Sequence, residues 1–307
     1  MIASVSSQFR LIDEDLRLVE EFERKLQIIR DRVMSVAYLY HTACYLVGRP
    51  GTSKTFTVKR ELQRLELPWA YRNARMTPMG MFDFIAEHPE HILVLDDIGT
   101  LFKNEQALQI LLAALDGDPG EPRLVSYKSK DEDLNVWFSG GIIAVSNVAL
   151  RNDPLARALG SRVTSLEHEP SDDEVAAFMR HLSLKSYKDL SVDECLEVAE
   201  FVIAETRECD QRLDLRHLTK AWDDLRQYKD GKAETHWQEL VQTSLHKLLA
   251  DPASPLSKQE EIQEQRRLVR ELITQYPTDP KRQMAESGLG KSTFYARRRE
   301  VLMSESA

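Results

Sequence analysis

The sequence predicts an α/β fold: a parallel sheet with helices on both faces, followed by an α-helical lid and a small all-α C-terminal unit like a helix-turn-helix. Three observations carry this. An apolar run, Ala43 to Val47, leads through a Gly/Pro turn into a helical pattern. Two further apolar runs, within 91–98 and 141–147, each end in polar residues and alternate with helical patterns, as strands of a parallel sheet do. From Ser171 onward strand patterns stop and apolar residues recur at helical spacing.

Taken in order, residues 11–40 place Leu11, Leu16, Leu18, Val19, Phe22, Leu26, Ile28, Ile29 and Val33 among charges. That spacing predicts an amphipathic helix, expected to pack beside the ligand of the loop that follows. The strand 43–47 then feeds Gly48-Arg-Pro-Gly-Thr-Ser-Lys-Thr55, which fits a phosphate-binding loop at seven of its eight positions. A strand, a tight loop and a helix start aim backbone N–H groups and the positive helix end at a polyphosphate. The candidate binding residues are Gly48, Arg49, Pro50, Gly51, Thr52, Ser53, Lys54, Thr55 and Phe56. Lys54 would reach the β/γ-phosphates and the Thr55 hydroxyl would ligate Mg²⁺. Ser53 stands where the pattern has glycine, and a Cβ there crowds the phosphate unless the backbone keeps φ below zero. The helix should run from Lys54 to about Leu65. A second strand follows over 69–74, and Thr77-Pro78 caps and opens a helix to about Glu87.

His91 to Ile98 supplies four apolar residues and then two carboxylates. Ligands of such sheets sit at the carboxyl ends of the strands. There Asp96 would hold Mg²⁺ through water, and Asp97 would orient or deprotonate the attacking water. An apolar helix over 106–115 ends at Asp116-Gly-Asp-Pro-Gly120. Residues 123–127 and 136–138 then predict a hairpin. Its Lys128, Lys130, Trp137 and Phe138 suit either a nucleic-acid contact or a solvated tip with the aromatics turned inward. The strand 141–147 brings Asn147 to the γ-phosphate or its water. A short helix over 153–162 leads to a last strand, 163–166.

Ser171 and Glu174 form a capping box at the head of helices expected near 171–182, 191–207, 214–228 and 235–249. Leu213, Leu215, Leu218, Trp222 and Leu225 form a buried stripe on the third, with Arg216 facing away. Composition marks a linker over 251–258. The expected organisation is thus a nucleotide-binding domain over 1–170, a lid over 171–250, the linker, and a tail over 259–307. In the tail a short helix, a glycine turn and a final helix carry Lys291, Ser292, Thr293, Tyr295, Arg297, Arg298 and Arg299. This locally basic helix suits phosphate contacts and base edges of DNA, and equally the solvated face of a helical hairpin.

The chain has 307 residues, 42 % hydrophobic and 30 % charged, as in an ordinary globular protein of two or three domains. A net charge of −9 argues against a partner that engages the whole surface electrostatically, so any nucleic-acid contact is local. Cys44, Cys195 and Cys209 fall in no paired motif, which predicts reduced thiols and a cytoplasmic protein. No run is long enough to span a membrane, and the first residues lack a signal-peptide profile.

The order of these motifs resembles the AAA+ ATPase family over roughly residues 15–249. Gly48–Thr55 resembles Walker A and Leu93–Asp97 Walker B, with Asp-Asp in place of the commoner Asp-Glu. Ser146-Asn147 is similar to sensor 1, Gly160-Ser-Arg162 to the arginine-finger segment (with Arg157 a competing candidate), and Leu215-Arg216 to sensor 2. The resemblance implies a Mg²⁺-dependent ATPase that works as a homo-oligomer, a ring or filament. Arg162 would act on a neighbour's γ-phosphate and Arg216 would couple nucleotide to lid within one subunit. Initiators, helicase loaders, transposition and phage ATPases of this family, together with the tail, imply DNA and a protein partner. Two other readings stand beside this one. The chain would be an ATP-gated DNA-binding switch with little turnover, or a protein-remodelling ATPase, for which Met79-Gly80-Met81-Phe82 only poorly approximates a pore loop.

Overall fold

Five parallel strands form the central sheet in the order β2-β3-β6-β1-β7. They are β1 (Ala43–Val47), β2 (Trp69–Asn73), β3 (Ile92–Asp96), β6 (Ile142–Ser146) and β7 (Thr164–Glu167). The computed structural model describes residues 11–73, 76–97, 104–128, 133–149, 154–249, 265–266, 269–270, 272–273, 275–277, 279–287 and 289–304.

Alternate side chains of the central strands enter two separate cores, which is why their sequences are apolar throughout rather than alternating. Cys44, Leu46, Ile92, Val94, Ile143 and Val145 pack in one core with α1 (Asp13–Ala37) and α2 (Lys54–Leu65). That core continues into the helices that come after the sheet: α6 (Asp172–Ser183), α7 (Val192–Glu208) and α8 (Leu215–Lys229). Ala43, Tyr45, Leu93, Leu95, Ile142 and Ala144 pack in the other with α3 (Pro78–Glu87) and α4 (Glu105–Ala114). The helix α5 (Pro154–Gly160) precedes β7, and α9 (Trp237–Leu249) comes after α8. A parallel sheet with helices on both faces, continued by an all-helical lid, is the architecture that the resemblance to AAA+ ATPases implies.

Local chemistry sets the element ends. The Thr77 side chain accepts from Gly80 N at the head of α3, and the Ser171 capping box is complete in both directions. The hairpin of β4 (Arg123–Lys128) and β5 (Asp133–Phe138) is inserted between α4 and β6. Its arms face two ways: Val125 and Phe138 are buried, whereas Leu124 and Trp137, directly opposite each other, are 47 % and 62 % exposed. The expectation of both aromatics turned inward therefore fails at Trp137, because adjacent residues of a strand point to opposite faces. Lys128 is paired with Asp133 at 2.8 Å, and Lys130 lies outside the described residues. Among the described residues no helix is long and apolar enough to cross a membrane.

The chain forms two compact units, Met1–Leu245 and His246–Ala307. In the second, α10 (Pro280–Ser287) precedes α11 (Lys291–Ser304), and among the described residues Val269, Leu272, Phe294 and Val301 are buried. The linker expected over 251–258 lies outside the described residues.

Candidate functional site

The carboxyl ends of β1, β3 and β6 open onto a cavity of about 550 Å³. It is lined by loop residues Gly51 to Phe56, by Asp96, Asp97 and Asn147, and by Leu215, Arg216 and Thr219 of the lid. With Val145 of β6 also in the wall, residues from four separate stretches of sequence, 51–56, 96–97, 145–147 and 215–219, thus meet in one place.

The loop's conformation explains its glycines. Gly51 has φ +74°, and a Cβ there would lie 1.9 Å from Cγ of Asp214, the N-cap of α8. A Cβ on Gly48 would lie 2.1 Å from the His168 carbonyl oxygen. Ser53 has φ +68° and ψ +10°, in the left-handed region where the pattern's usual glycine rests without cost, so the condition that would keep its Cβ from crowding a phosphate is not met. Its hydroxyl makes no capping bond to α2. Asp97 is likewise left-handed, with φ +56°.

Lys54 opens α2 and is 5 % exposed. Its ammonium donates to the carbonyls of Gly48 and Arg49, both at 2.6 Å, and to Asn147 Oδ1 at 3.3 Å. Burial pushes its pKa down to about 8; Glu169 opposes that shift, Arg216 adds to it, and Asp96 and Asp214 oppose it. The two metal-ligand candidates also meet, the Thr55 hydroxyl donating to Asp96 Oδ1 at 3.2 Å. An Asp carboxylate and a Thr hydroxyl beside the phosphate loop are the hard oxygen donors that suit Mg²⁺, which keeps several waters and takes its remaining ligands from phosphate.

Several residues that the sequence reading passed over shape this site. The Tyr71 phenol donates to Asp96 Oδ2 at 2.9 Å, and Lys59 lies 3.2 Å from the centre of its ring. Burial and the Asp96 carboxylate push that phenol up to about 12, so it remains a donor at neutral pH. His168 is 2 % exposed, and its Nε2 lies 2.9 Å from the Thr52 carbonyl. Burial holds its pKa down, which fits a neutral ring donating from Nε2. Glu169 Oε1 accepts the Arg49 backbone N–H at 2.5 Å. Tyr71, His168 and Glu169 are not marked by local sequence, since each bonds a residue 25 or more positions away.

Of the remaining candidates, Arg216 alone lines the cavity. Arg162 does not line the cavity; it pairs with Asp116 at 3.2 Å and donates to the Ala158 carbonyl. Arg157, in the last turn of α5, is exposed. Arg216 reaches the cavity with its side chain 63 % exposed. In the tail, the five candidates whose side chains are described do not share one open face. Tyr295 and Arg299 are exposed, and Thr293 is half-buried. Arg297 is bonded to Gln265 and Glu300, and Arg298 to the buried Gln283, so both are held within the small unit. Lys291 and Ser292 open α11, and their side chains lie outside the described ones.

The three thiols are free. Cys44 and Cys195 are buried, and burial pushes Cys44 up to about 12, so it is an unreactive core thiol.

No protein-family model matches the chain, and no curated protein matches it. Among solved structures it is similar to the Thermotoga maritima RuvB Holliday junction branch migration motor, with a TM-score of 0.46 and 16 % identity, over 93 % of this chain and 87 % of that one. A mutant of Thermotoga maritima RuvB matches with a TM-score of 0.46 and 16 % identity, over 89 % and 83 %. A likeness at these scores carries no argument about function. In its own sheet, its lid and the order of its motifs, the chain resembles the AAA+ ATPases.

Proposed function

We propose that this chain is an AAA+ ATPase that hydrolyses ATP and acts on DNA as a homo-oligomer. One observation supports the reading above the others. Lys54, Thr55, Asp96 and Asn147, far apart in sequence, converge within hydrogen-bond reach at the carboxyl ends of three adjacent parallel strands. That is where a nucleotide-binding sheet holds its ligand.

On this reading the loop N–H groups and the start of α2 cradle the polyphosphate, and Lys54 leaves its two carbonyls to meet the β/γ-phosphates. Mg²⁺, held by Thr55 and Asp96, would supply charge neutralisation there. Asp97 accepts the proton of the attacking water or orients it, and Asn147 helps to place it. Arg162 of a neighbouring subunit, released from Asp116, offsets the charge that develops on transfer. Arg216 reports on the nucleotide from the lid.

The trans role of Arg162 has a direct test in mixed oligomers. Arg162→Ala should bind ATP and fail to hydrolyse it, as should Asp97→Ala. A mixture of the two should recover part of the wild-type rate through interfaces that carry both intact residues. No recovery at any ratio would remove Arg162 from that role.

A second reading, an ATP-gated switch with little turnover, draws on the left-handed backbone at both Ser53 and Asp97. The protein-remodelling reading has less support: Met81 and Phe82 are buried in α3, so that segment presents no aromatic pore loop.

A further inference from the structure

Arg49 is the second residue of the phosphate loop, yet it does not line the cavity. Its side chain turns the other way and is 12 % exposed. The guanidinium donates to the Leu213 carbonyl at 3.2 Å and to the Pro170 carbonyl at 3.1 Å, and it pairs with Asp172 Oδ1 at 2.8 Å. These three partners form the root of the lid: Pro170 and Asp172 at the start of α6, Leu213 just before α8.

The same residue is also tied to the phosphate side. Its carbonyl accepts from Lys54 Nζ at 2.6 Å and from the Thr52 hydroxyl at 3.0 Å, while its N–H donates to Glu169. The lid root is cross-braced around it. Asp172 also accepts from Leu213 N at 3.1 Å and pairs with Arg212 at 2.8 Å. Leu215 N donates to the Gly51 carbonyl at 3.0 Å, directly beneath Arg216. An isolated surface ion pair would mean little. A planar fork largely out of water, with three acceptors in fixed directions, is a mechanical connection, and lysine cannot copy it.

We infer that Arg49 is a positioning residue that transmits the state of Lys54 to the helical lid. The inference rests on the reading that the loop binds a polyphosphate. When phosphate takes Lys54 away, the Arg49 carbonyl loses its charged donor and keeps only the Thr52 hydroxyl, while the guanidinium keeps its hold on Leu213 and Asp172. The loop's rearrangement then moves or stiffens the start of α8, which carries Arg216. Loop and lid are two elements biased by one residue, as a physical account of coupling requires.

The test uses the full chain with ADP·Mg²⁺ and ATP·Mg²⁺, comparing wild type, Arg49→Met, Arg49→Lys, Asp172→Asn and Lys54→Ala. Nucleotide affinity is measured by calorimetry, and amide exchange is monitored over residues 172–229. In the wild type, nucleotide should slow exchange in the lid helices by about fivefold or more. Arg49→Met should still bind ADP with affinity reduced by no more than about tenfold, and should lose most of that protection. Arg49→Lys should not restore it, and Asp172→Asn should lose part of it even if Arg49→Met fails to fold. In turnover the loss should appear in kcat more than in KM. Full lid protection in an Arg49→Met or Asp172→Asn protein that binds nucleotide would overturn the inference. Absence of nucleotide binding in the wild type would instead overturn the site reading beneath it, and the inference with it.

Discussion

Replacing Ser53 by glycine should stabilise the protein. Ser53 sits at φ +68°, ψ +10°, just ahead of α2, and its hydroxyl makes no capping bond. Holding an L-residue in that region costs roughly 1–2 kcal/mol, because Cβ crowds the following carbonyl. Glycine removes that cost but brings back roughly 0.5–1 kcal/mol of unfolded-chain entropy. The difference leaves Ser53→Gly more stable by about 0.5–1 kcal/mol, or a rise in Tm of roughly 1–4 °C for a unit of this size. Ser53→Ala keeps the Cβ and loses only an unbonded hydroxyl, so it should stay within about 0.5 kcal/mol of wild type. Urea unfolding of the three proteins, monitored by far-UV circular dichroism, measures both differences. ATP binding should survive in Ser53→Gly, because the loop N–H at that position is unchanged. A glycine variant less stable than wild type by about 1 kcal/mol or more would refute the reasoning, since it would show that the serine side chain holds the loop in place.

Four further outcomes concern the same site and the tail. Lys54 has a folded pKa of about 8 against an ordinary 10.5, so between those values the unfolded chain carries the extra proton. Stability should therefore rise with pH through that window, and Lys54→Met should lack the rise; a flat wild-type profile would mean the ammonium is not desolvated. Nucleotide phosphate should draw a proton onto Lys54 above pH ~8, seen as proton uptake when calorimetry is repeated in buffers of different ionisation enthalpy. Tyr71→Phe deletes the bond that orients Asp96 and should raise the Mg²⁺ needed for half-maximal ATP turnover about tenfold; an unchanged Mg²⁺ titration would make that bond incidental. In the tail, Tyr295→Ala with Arg299→Ala should weaken duplex binding and reduce its salt dependence, whereas Arg298→Ala should first destabilise the small unit by freeing Gln283. Unchanged affinity in the double variant would place DNA binding elsewhere.

Much of the fold and part of the site are legible in the sequence, for identifiable reasons. The strand 43–47 and the helix from Lys54 are readable because a fully apolar run and a glycine turn are local signals, and both elements have those bounds. The pairing of carboxylates after β3 and the polar pair after β6 can be read from strand ends, which topology alone brings together. The sequence poses the question of the Ser53 backbone without answering it, because no local signal tells whether a serine at that position keeps φ below zero or takes the left-handed conformation it has. Tyr71, Glu169 and Asp172 gain their roles at the site from partners in distant stretches of the chain. In the tail, helical spacing suggests a basic face, but Gln265, Gln283 and Glu300 claim two of its arginines.

Whether this site hydrolyses ATP is decided by steady-state turnover of the purified protein, with and without duplex DNA and against Lys54→Ala. Turnover should depend on Mg²⁺, rise when DNA is added and be absent in Lys54→Ala. Tight ATP binding with no turnover under either condition would contradict hydrolysis and favour the switch. Turnover that persists in Lys54→Ala would contradict the site itself.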